Sequence, residues 1–490
     1  MIYHKIWGLK RTLKYVIFSL TMIRKRIYRW VLVLFVLSQL APQSGFSITI
    51  GEEEKLSREI LNQIYRHYEL IEDPVVVDYV NKVGNRIVAV LKDPLFDYKF
   101  QVINVAEYNA FAIPAGYIFI NSGLLAAMDN EDELAGILAH EIAHVNARHI
   151  SQKIERSKKI GWATMAGAAA GILLGAAGGG GEAAQAVTKG SQAAGAAAEL
   201  SYSRDDEIQA DQLGLIYLTD AGYSGEGLLK ILKKMRTKQW YDTKQVPTYL
   251  RTHPAVDDRI AYLDSQLSGA AKTGKARAQE SPDEFMRAHT YLITEYGDED
   301  LVLRYLHGEV TKHPDDPMAH YRYGLILARV GRREEAIDQM RTALEMRAFD
   351  PYILRDVGRV YYLNGQYEQS LKMLKTAHNM IPNDADCNLY LGQTYMEMGL
   401  FDESSPVLKE VVEKHPYYTK VYYVLGQSLG KQGNMADAHY YLGIYYIHKG
   451  DYQTAATQFQ RALTYAKDAE RRNQIEERLK KLKDEMAKKS

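Results

Sequence analysis

Residues 137–145 read ILAHEIAHV. On a period of about 3.6 residues, Ile137, Leu138, Ile142 and Val145 make a core-facing stripe, while His140 and His144 lie one turn apart and point the same way. An apolar helix has no use for two imidazoles on one face unless they share a partner. The acidic segment DNEDE (Asp129 to Glu133) precedes the apolar run and suits a helix N-terminus, where backbone N–H groups favour carboxylates.

His140, Glu141 and His144 form H-E-x-x-H. The i, i+4 spacing places two imidazole nitrogens where they can grip one zinc ion, and Glu141, about 100° around the helix, is the candidate general base. A third protein ligand is needed. A metzincin would require Gly at 147 and His at 150, where this chain has Ala147 and Ile150. Downstream, SYSRDDEIQADQLGLIYL (201–218) carries Glu207 and Asp211 at i and i+4 on a second amphipathic helix. One carboxylate there can bind zinc while the other accepts a hydrogen bond from a ligand histidine. With Asp205 and Asp206 adjacent, a solvated acidic face is the alternative reading. His149, nine residues after His140, falls about half a turn past the zinc-facing stripe of a continued helix and is read as structural.

The chain has 490 residues, too many for one ordinary core, so two or three domains are expected. Its 61 basic and 61 acidic residues balance, and no basic stripe marks a nucleic-acid binder. Cys387 is the only cysteine, which excludes an internal disulfide, a cysteine metal site and a lipid-bearing cysteine after the N-terminal region. Any metal site must be built from histidine and carboxylate. From Met22 the chain runs MIRKRIYRWVLVLFVLSQLAPQSGFS: basic residues, an apolar run from Val31 to Leu40, then small and polar residues suited to cleavage near Gly45 or Ser47. This is the pattern of a secretory signal peptide, with translation expected to begin at Met22, and it predicts export.

HEIAHV with SRDDEIQAD, preceded by YNAFAIPAGYIFINSGLL, resembles the zinc metallopeptidases that include the CAAX prenyl proteases and the heat-shock membrane protease HtpX, over about residues 50–265. Residue by residue, the resemblance implies zinc ligands His140, His144 and Glu207, one zinc per chain, Glu141 as general base, and Asp211 behind the ligands. It also draws attention to RTHPAVDDRI, implying that His253 sits near the zinc as a regulatory ligand or an oxyanion helper. YKFQVIN (98–104) and AGYIFINSG (115–123) carry the β-branched and aromatic residues of strands. An extended substrate adding to such a sheet edge would run beside Asn109, Ala110 and Phe111; plain core packing accounts for Phe111 equally well. The uncharged tract Gly161 to Gly181, with Gly167, Gly171 and Gly175 four apart, is read as a helical hairpin or flap near the site, with peripheral membrane contact as its rival.

Beyond the polar stretch Ser265 to Pro282 the pattern changes. Gly324, Gly358, Gly392 and Gly426 recur every 34 residues, and Gly331, Gly365, Gly399 and Gly433 follow at a constant offset. Tyr361 and Tyr395 follow their glycines by three, Ala336 and Ala438 occupy the small site of the second helix, and Pro382 and Pro416 close their units. These positions resemble tetratricopeptide repeats over about 317–469. Gly443, Tyr446, Gly450, Ala455, Phe459 and Ala462 match again only 17 residues after the fourth unit, so one helix is expected to serve two repeats. Such arrays offer a concave face to extended peptides or partner proteins.

The fold class expected is mainly α: a helical zincin-type (gluzincin) peptidase domain with a small β-sheet, then an α-solenoid. The divisions are an N-terminal extension and signal peptide (1–47), the peptidase domain (48–265), a linker (266–282), the repeat array (283–470) and a charged C-terminal helix (471–490). The pairing of an exported peptidase with a repeat array implies, by resemblance, a periplasmic enzyme peripheral to the outer membrane. Its substrates would be misfolded or unfolded outer-membrane proteins and its partner the barrel-assembly machinery. A chaperone or scaffold built on the array, with a largely latent peptidase, is the alternative.

Overall fold

A computed structural model describes residues 48–156, 202–241, 247–269 and 282–489. The signal-peptide segment 1–47, the Gly/Ala tract 161–181 and linker residues 270–281 lie outside the described residues. From Thr49 onward the chain forms one compact unit.

Helix α1 (Ile50–His67) opens on a capping box in which the Thr49 hydroxyl accepts from the Glu52 amide and the Glu52 carboxylate accepts from the Thr49 amide at 2.8 Å. After the short strand β1 (Leu70–Ile71), helix α2 (Pro74–Val88) begins with Asp73 as N-cap and Pro74 in the first turn, where its missing N–H costs nothing. Strands β2 (Lys99–Ile103), β3 (Ala110–Ile113) and β4 (Tyr117–Asn121) complete a four-stranded sheet of order β1-β2-β4-β3. β2 and β4 run parallel, and the other pairings are antiparallel. Two of these strands fall where the β-branched residues placed them. β3 lies inside AEYNAFAIP and was not expected as a strand; it reverses into β4 through Ala115 and Gly116, which both take positive φ (64° and 88°).

Short helix α3 (Ser122–Ala126) leads into α4 (Glu131–Asn146), which carries the two histidines. Asn130 caps α4 by accepting from the Glu133 amide at 3.1 Å, and Glu131, Asp132 and Glu133 fill its first turn. Every residue from Glu133 to Val145 is buried, so α4 is a central helix rather than one with a single buried stripe. It packs on α2, on β3, and on α6 (Arg204–Asp220) and α7 (Glu226–Tyr241). The last is brought close by Gly136, where an added Cβ would stand 2.6 Å from the Leu228 amide nitrogen. Each fully buried Leu or Ile of this helix contributes about 1.5–3 kcal/mol. Helix α5 (His149–Arg156) follows α4, and α8 (Thr248–Thr252) and α9 (Val256–Gly269) follow α7.

The second half is a run of paired helices: α10 (Pro282–Tyr296), α11 (Glu299–Lys312), α12 (Pro317–Arg329), α13 (Arg333–Met346), α14 (Pro351–Leu363), α15 (Tyr367–Met380), α16 (Ala385–Glu397), α17 (Phe401–Lys414), α18 (Thr419–Lys431), α19 (Met435–His448), α20 (Tyr452–Tyr465) and α21 (Ala469–Lys489). The recurrent glycines allow the two helices of a pair to touch: a Cβ at Gly358 would lie 2.6 Å from Cγ of Leu374. Helix α19 packs extensively on both α18 and α20, the shared helix that the 17-residue offset predicts. The C-terminal helix α21 buries Ile475, Leu479 and Leu482 against this end.

Helix α10 has two memberships. It packs on α12 of the array, while Phe285, Ala288, Tyr291 and Leu292 join the same apolar cluster as α2, the sheet and α4. The array touches the first half again at α2, where Nδ1 of His415 lies 3.1 Å from a carboxylate oxygen of Asp78 and the Tyr417 hydroxyl donates to the same carboxylate. Among the described residues, no helix is long and apolar enough to cross a membrane.

Candidate metal centre

Four residues from three segments converge at the centre of the first half. His140 and His144 come from α4, Glu207 from α6 and His253 from the end of α8, and all four are buried, with one ligand atom of each lying within 4.8 Å of the others. Nε2 of His140 is 3.0 Å from Nε2 of His144, 3.4 Å from Nδ1 of His253 and 3.4 Å from Oε2 of Glu207. Oε1 of Glu207 is 3.5 Å from Nε2 of His144 and 3.0 Å from Nδ1 of His253. Donors at zinc bond lengths of about 2.0–2.2 Å around a tetrahedron stand roughly 3.3–3.6 Å apart, so this set fits a zinc ion in both size and chemistry.

Behind the donors stand charges that hold them. Oδ1 of Asp211 accepts from Nδ1 of His140 at 2.9 Å, leaving Nε2 to face the cluster. Arg259, on α9 and fully buried, binds Asp211 at 2.8 and 2.7 Å and places Nη1 2.7 Å from Oε2 of Glu207. Burial and the Arg259 cation both work against a charged His140, yet its hydrogen bonds to Asp211 and Glu207 prevail and push it up to about 9. Burial would raise Asp211, but Arg259 and His140 bring it down to about 2. Glu207 is held well below the usual carboxylate range: burial would raise it, and His253 and Arg259 outweigh that. Burial pushes His144 well below the ordinary imidazole value, so it is neutral and free to donate a lone pair.

Glu141 is fully buried, and among the described residues neither of its carboxylate oxygens makes a hydrogen bond; Nε2 of His253 lies 3.5 Å from Oε1. Such an orphaned buried acceptor beside a donor cluster calls for a bound ion or water to complete it. Burial raises its carboxyl. Aromatic rings frame the cluster: Tyr202 stacks on His144 at 3.7 Å, and Tyr249 stacks on His253 at 4.2 Å.

The structure thus brings His140, Glu141, His144, Glu207, Asp211 and His253 together. Asn109, Ala110 and Phe111 are not among these side chains; they lie at the edge of the sheet, on or just ahead of the strand that packs against α4. The Asn109 carbonyl accepts from the Asn121 amide at 2.9 Å, Ala110 begins β3, and Phe111 stacks on Phe119 at 5.1 Å as a buried core side chain. Among the described residues β3 is bonded to β4 alone, and just ahead of it the Tyr249 amide donates to the Tyr108 carbonyl at 3.0 Å. Arg259 escaped the sequence reading although it stands in the quoted RTHPAVDDRI; two acidic residues expected to be buried near zinc call for a nearby cation, and that was the available signal. His149 also lies elsewhere than a continued helix would put it. α4 ends at Asn146 and Arg148 takes φ 53°, so the chain turns and returns the His149 ring to His144.

Residues 76–267 match the model of peptidase family M48, and 303–351, 324–385, 361–427 and 436–469 match models of tetratricopeptide repeats. The chain therefore carries a peptidase family M48 domain followed by tetratricopeptide repeats. It is 27% identical over 330 residues to the beta-barrel assembly-enhancing protease of Yersinia pestis, covering 67% of this chain and 65% of that protein. A putative beta-barrel assembly-enhancing protease of Vibrio cholerae is 32% identical over 217 residues, 44% of each chain. The mitochondrial metalloendopeptidase OMA1 of Schizosaccharomyces pombe is 29% identical over 192 residues, 39% of this chain and 53% of that one. The chain spans about two thirds or less of the length of each of these relatives.

Proposed function

We propose that this chain is a zinc-dependent endopeptidase of the periplasm that degrades misfolded or stalled outer-membrane proteins and aids their assembly. The repeat array would bind the substrate or the barrel-assembly machinery. The observation that carries the enzymatic reading is the convergence of four donor atoms at zinc-sized separations beside the unbonded carboxylate of Glu141. The names of the bacterial relatives and the matched repeats support the substrate and partner; the basic and apolar N-terminal segment supports export.

His140, His144 and Glu207 would hold the ion, which when bound supplies Lewis acidity to a peptide carbonyl and to water. Asp211 fixes His140 with its proton on Nδ1. Glu141 takes a proton from water on its carboxylate and returns it to the leaving amine. The edge of β3, at Asn109, Ala110 and Phe111, would pair with an extended substrate through backbone groups, since the Phe111 ring is committed to the core.

One observation favours the second reading, a scaffold with a largely latent peptidase. His253 takes the fourth corner of the donor set, 3.0 Å from Glu207, the position that an active zinc site keeps open. As a regulatory ligand it would have to leave before substrate enters.

Metal content and casein cleavage of the full chain, compared with Glu141→Gln and His253→Ala, test both. One zinc per chain, a loss of about 100-fold or more in Glu141→Gln with zinc retained, and faster cleavage by His253→Ala are expected. Absence of bound zinc, or full activity in Glu141→Gln, overturns the enzymatic reading. Undiminished support of outer-membrane assembly by Glu141→Gln would favour the scaffold.

A further inference from the structure

The two histidines of the motif are held from behind in different ways. His140 gives its Nδ1 proton to a carboxylate, Asp211. His144 faces another imidazole: Nδ1 of His149 lies 2.8 Å from Nδ1 of His144. His149 is 2% exposed, and its Nε2 is 2.9 Å from Oε1 of Gln209 on α6, two residues before the Asp211 that serves His140. Asp206 is also near Nε2, at 4.0 Å.

These distances determine where the protons sit. Nε2 of His144 points into the donor cluster, so a neutral His144 that offers a lone pair there carries its proton on Nδ1. The acceptor for that proton is Nδ1 of His149, which must be bare. The His149 proton is then on Nε2, and Oε1 of Gln209 accepts it. Turning the Gln209 amide over would put N–H against Nε2 of His149, force the proton to Nδ1, and set two N–H groups against each other across 2.8 Å. A cation at the donor cluster therefore selects one tautomer for each ring and one orientation for the amide.

We propose that His149 is a positioning residue for the metal ligand His144, with Gln209 fixing its tautomer. The relay rests on the metal site proposed above and extends it to two residues that touch neither metal nor substrate. It exists because α4 stops at Asn146 and the left-handed Arg148 folds the chain back; a continued helix would carry His149 away.

The test is zinc affinity, measured by chelator competition on the full chain, together with the visible spectrum of the cobalt-substituted chain and a separation of kcat from KM. Asparagine can place a carbonyl oxygen near the position of Nδ1, so His149→Asn should keep zinc within a few-fold of wild type. His149→Leu offers no acceptor and should bind zinc about 10–100-fold more weakly, with altered cobalt bands and a fall in kcat at little cost in KM. Gln209→Leu should lose a few-fold. Unchanged affinity in His149→Leu, or equal losses in His149→Leu and His149→Asn, overturns the relay while the metal site stands. A wild-type chain without zinc overturns the proposed function and the relay together. Should His149→Leu not fold, near-wild-type zinc in His149→Asn with weaker zinc in Gln209→Leu is the expected pair, and any other pair overturns the relay.

Discussion

Arg259 meets Asp211 at two points, 2.8 and 2.7 Å, entirely within the core. This pair, extended to Glu207, balances the carboxylates that a dication would otherwise balance alone, and it ties α9 to α6 behind the donor cluster.

Removing Arg259 should therefore be felt most in the metal-free chain. Arg259→Met leaves the buried Asp211 and Glu207 with histidine partners alone and no fixed cation, a cost of up to about 3–5 kcal/mol. Urea unfolding in the presence of chelator should show it, with part of the loss recovered on adding zinc. Arg259→Lys keeps the charge but loses the two-point geometry, and should fall between. A Met variant as stable as wild type would mean that the pair holds nothing in place.

Zinc binding should release a proton. His140, pushed up to about 9 by its carboxylate partners, is protonated near neutral pH without metal, and its Nε2 must give up that proton to become a ligand. Calorimetry in buffers of different ionisation enthalpy should find nearly one proton released at about pH 7, falling as pH rises toward 9. Asp211→Asn, which removes a raising influence, should diminish the release.

The contact between α2 and the array should weaken in alkali. His415 is raised above its ordinary value by its hydrogen bond to Asp78. Its contribution is thus complete below the unfolded value of about 6.5 and is lost as pH rises through the higher folded value. Asp78→Asn should lower the melting temperature more near pH 6 than near pH 9. An equal effect at both would remove the ion pair from the account.

At Gly358 the close approach of α14 to α15 can be tested directly. A methyl group there meets Cγ of Leu374 at 2.6 Å and its amide nitrogen at 3.3 Å, so the array must shift. The overpacking cost of about 1–3 kcal/mol outweighs the helix-propensity gain of about 1 kcal/mol that Gly358→Ala brings. Thermal unfolding should show a net loss.

What the sequence made legible follows from the range of the interactions involved. His140, Glu141 and His144 sit on one helix, so their spacing alone expresses their geometry, and the 34-residue recurrence is likewise local. Glu207 and Asp211 were recognisable as a pair on one face, but which of them meets which histidine depends on how α6 crosses α4. Two acids expected near zinc called for a cation, but which one was not legible: the partners of Arg259 lie 48 and 52 positions away, so spacing on α9 does not single it out. His149 was misplaced by extending a helix past the point where Arg148 turns it. β3 was missed because a four-residue strand ending at Ile113, just before Pro114, carries too short an alternation to read. The double role of α10 was hidden because its apolar residues fit the repeat pattern and the peptidase core alike.

That double role limits how the molecule can be rearranged. A repeat array that starts inside its neighbour's core is not a detachable module. A chimera joined at Pro282 would pull Phe285, Ala288, Tyr291 and Leu292 out of the peptidase half, whereas a junction after Tyr296 leaves that core closed. Exchange of arrays between relatives, by an engineer or by recombination, is therefore confined to the second breakpoint, and the helix before it travels with the enzyme.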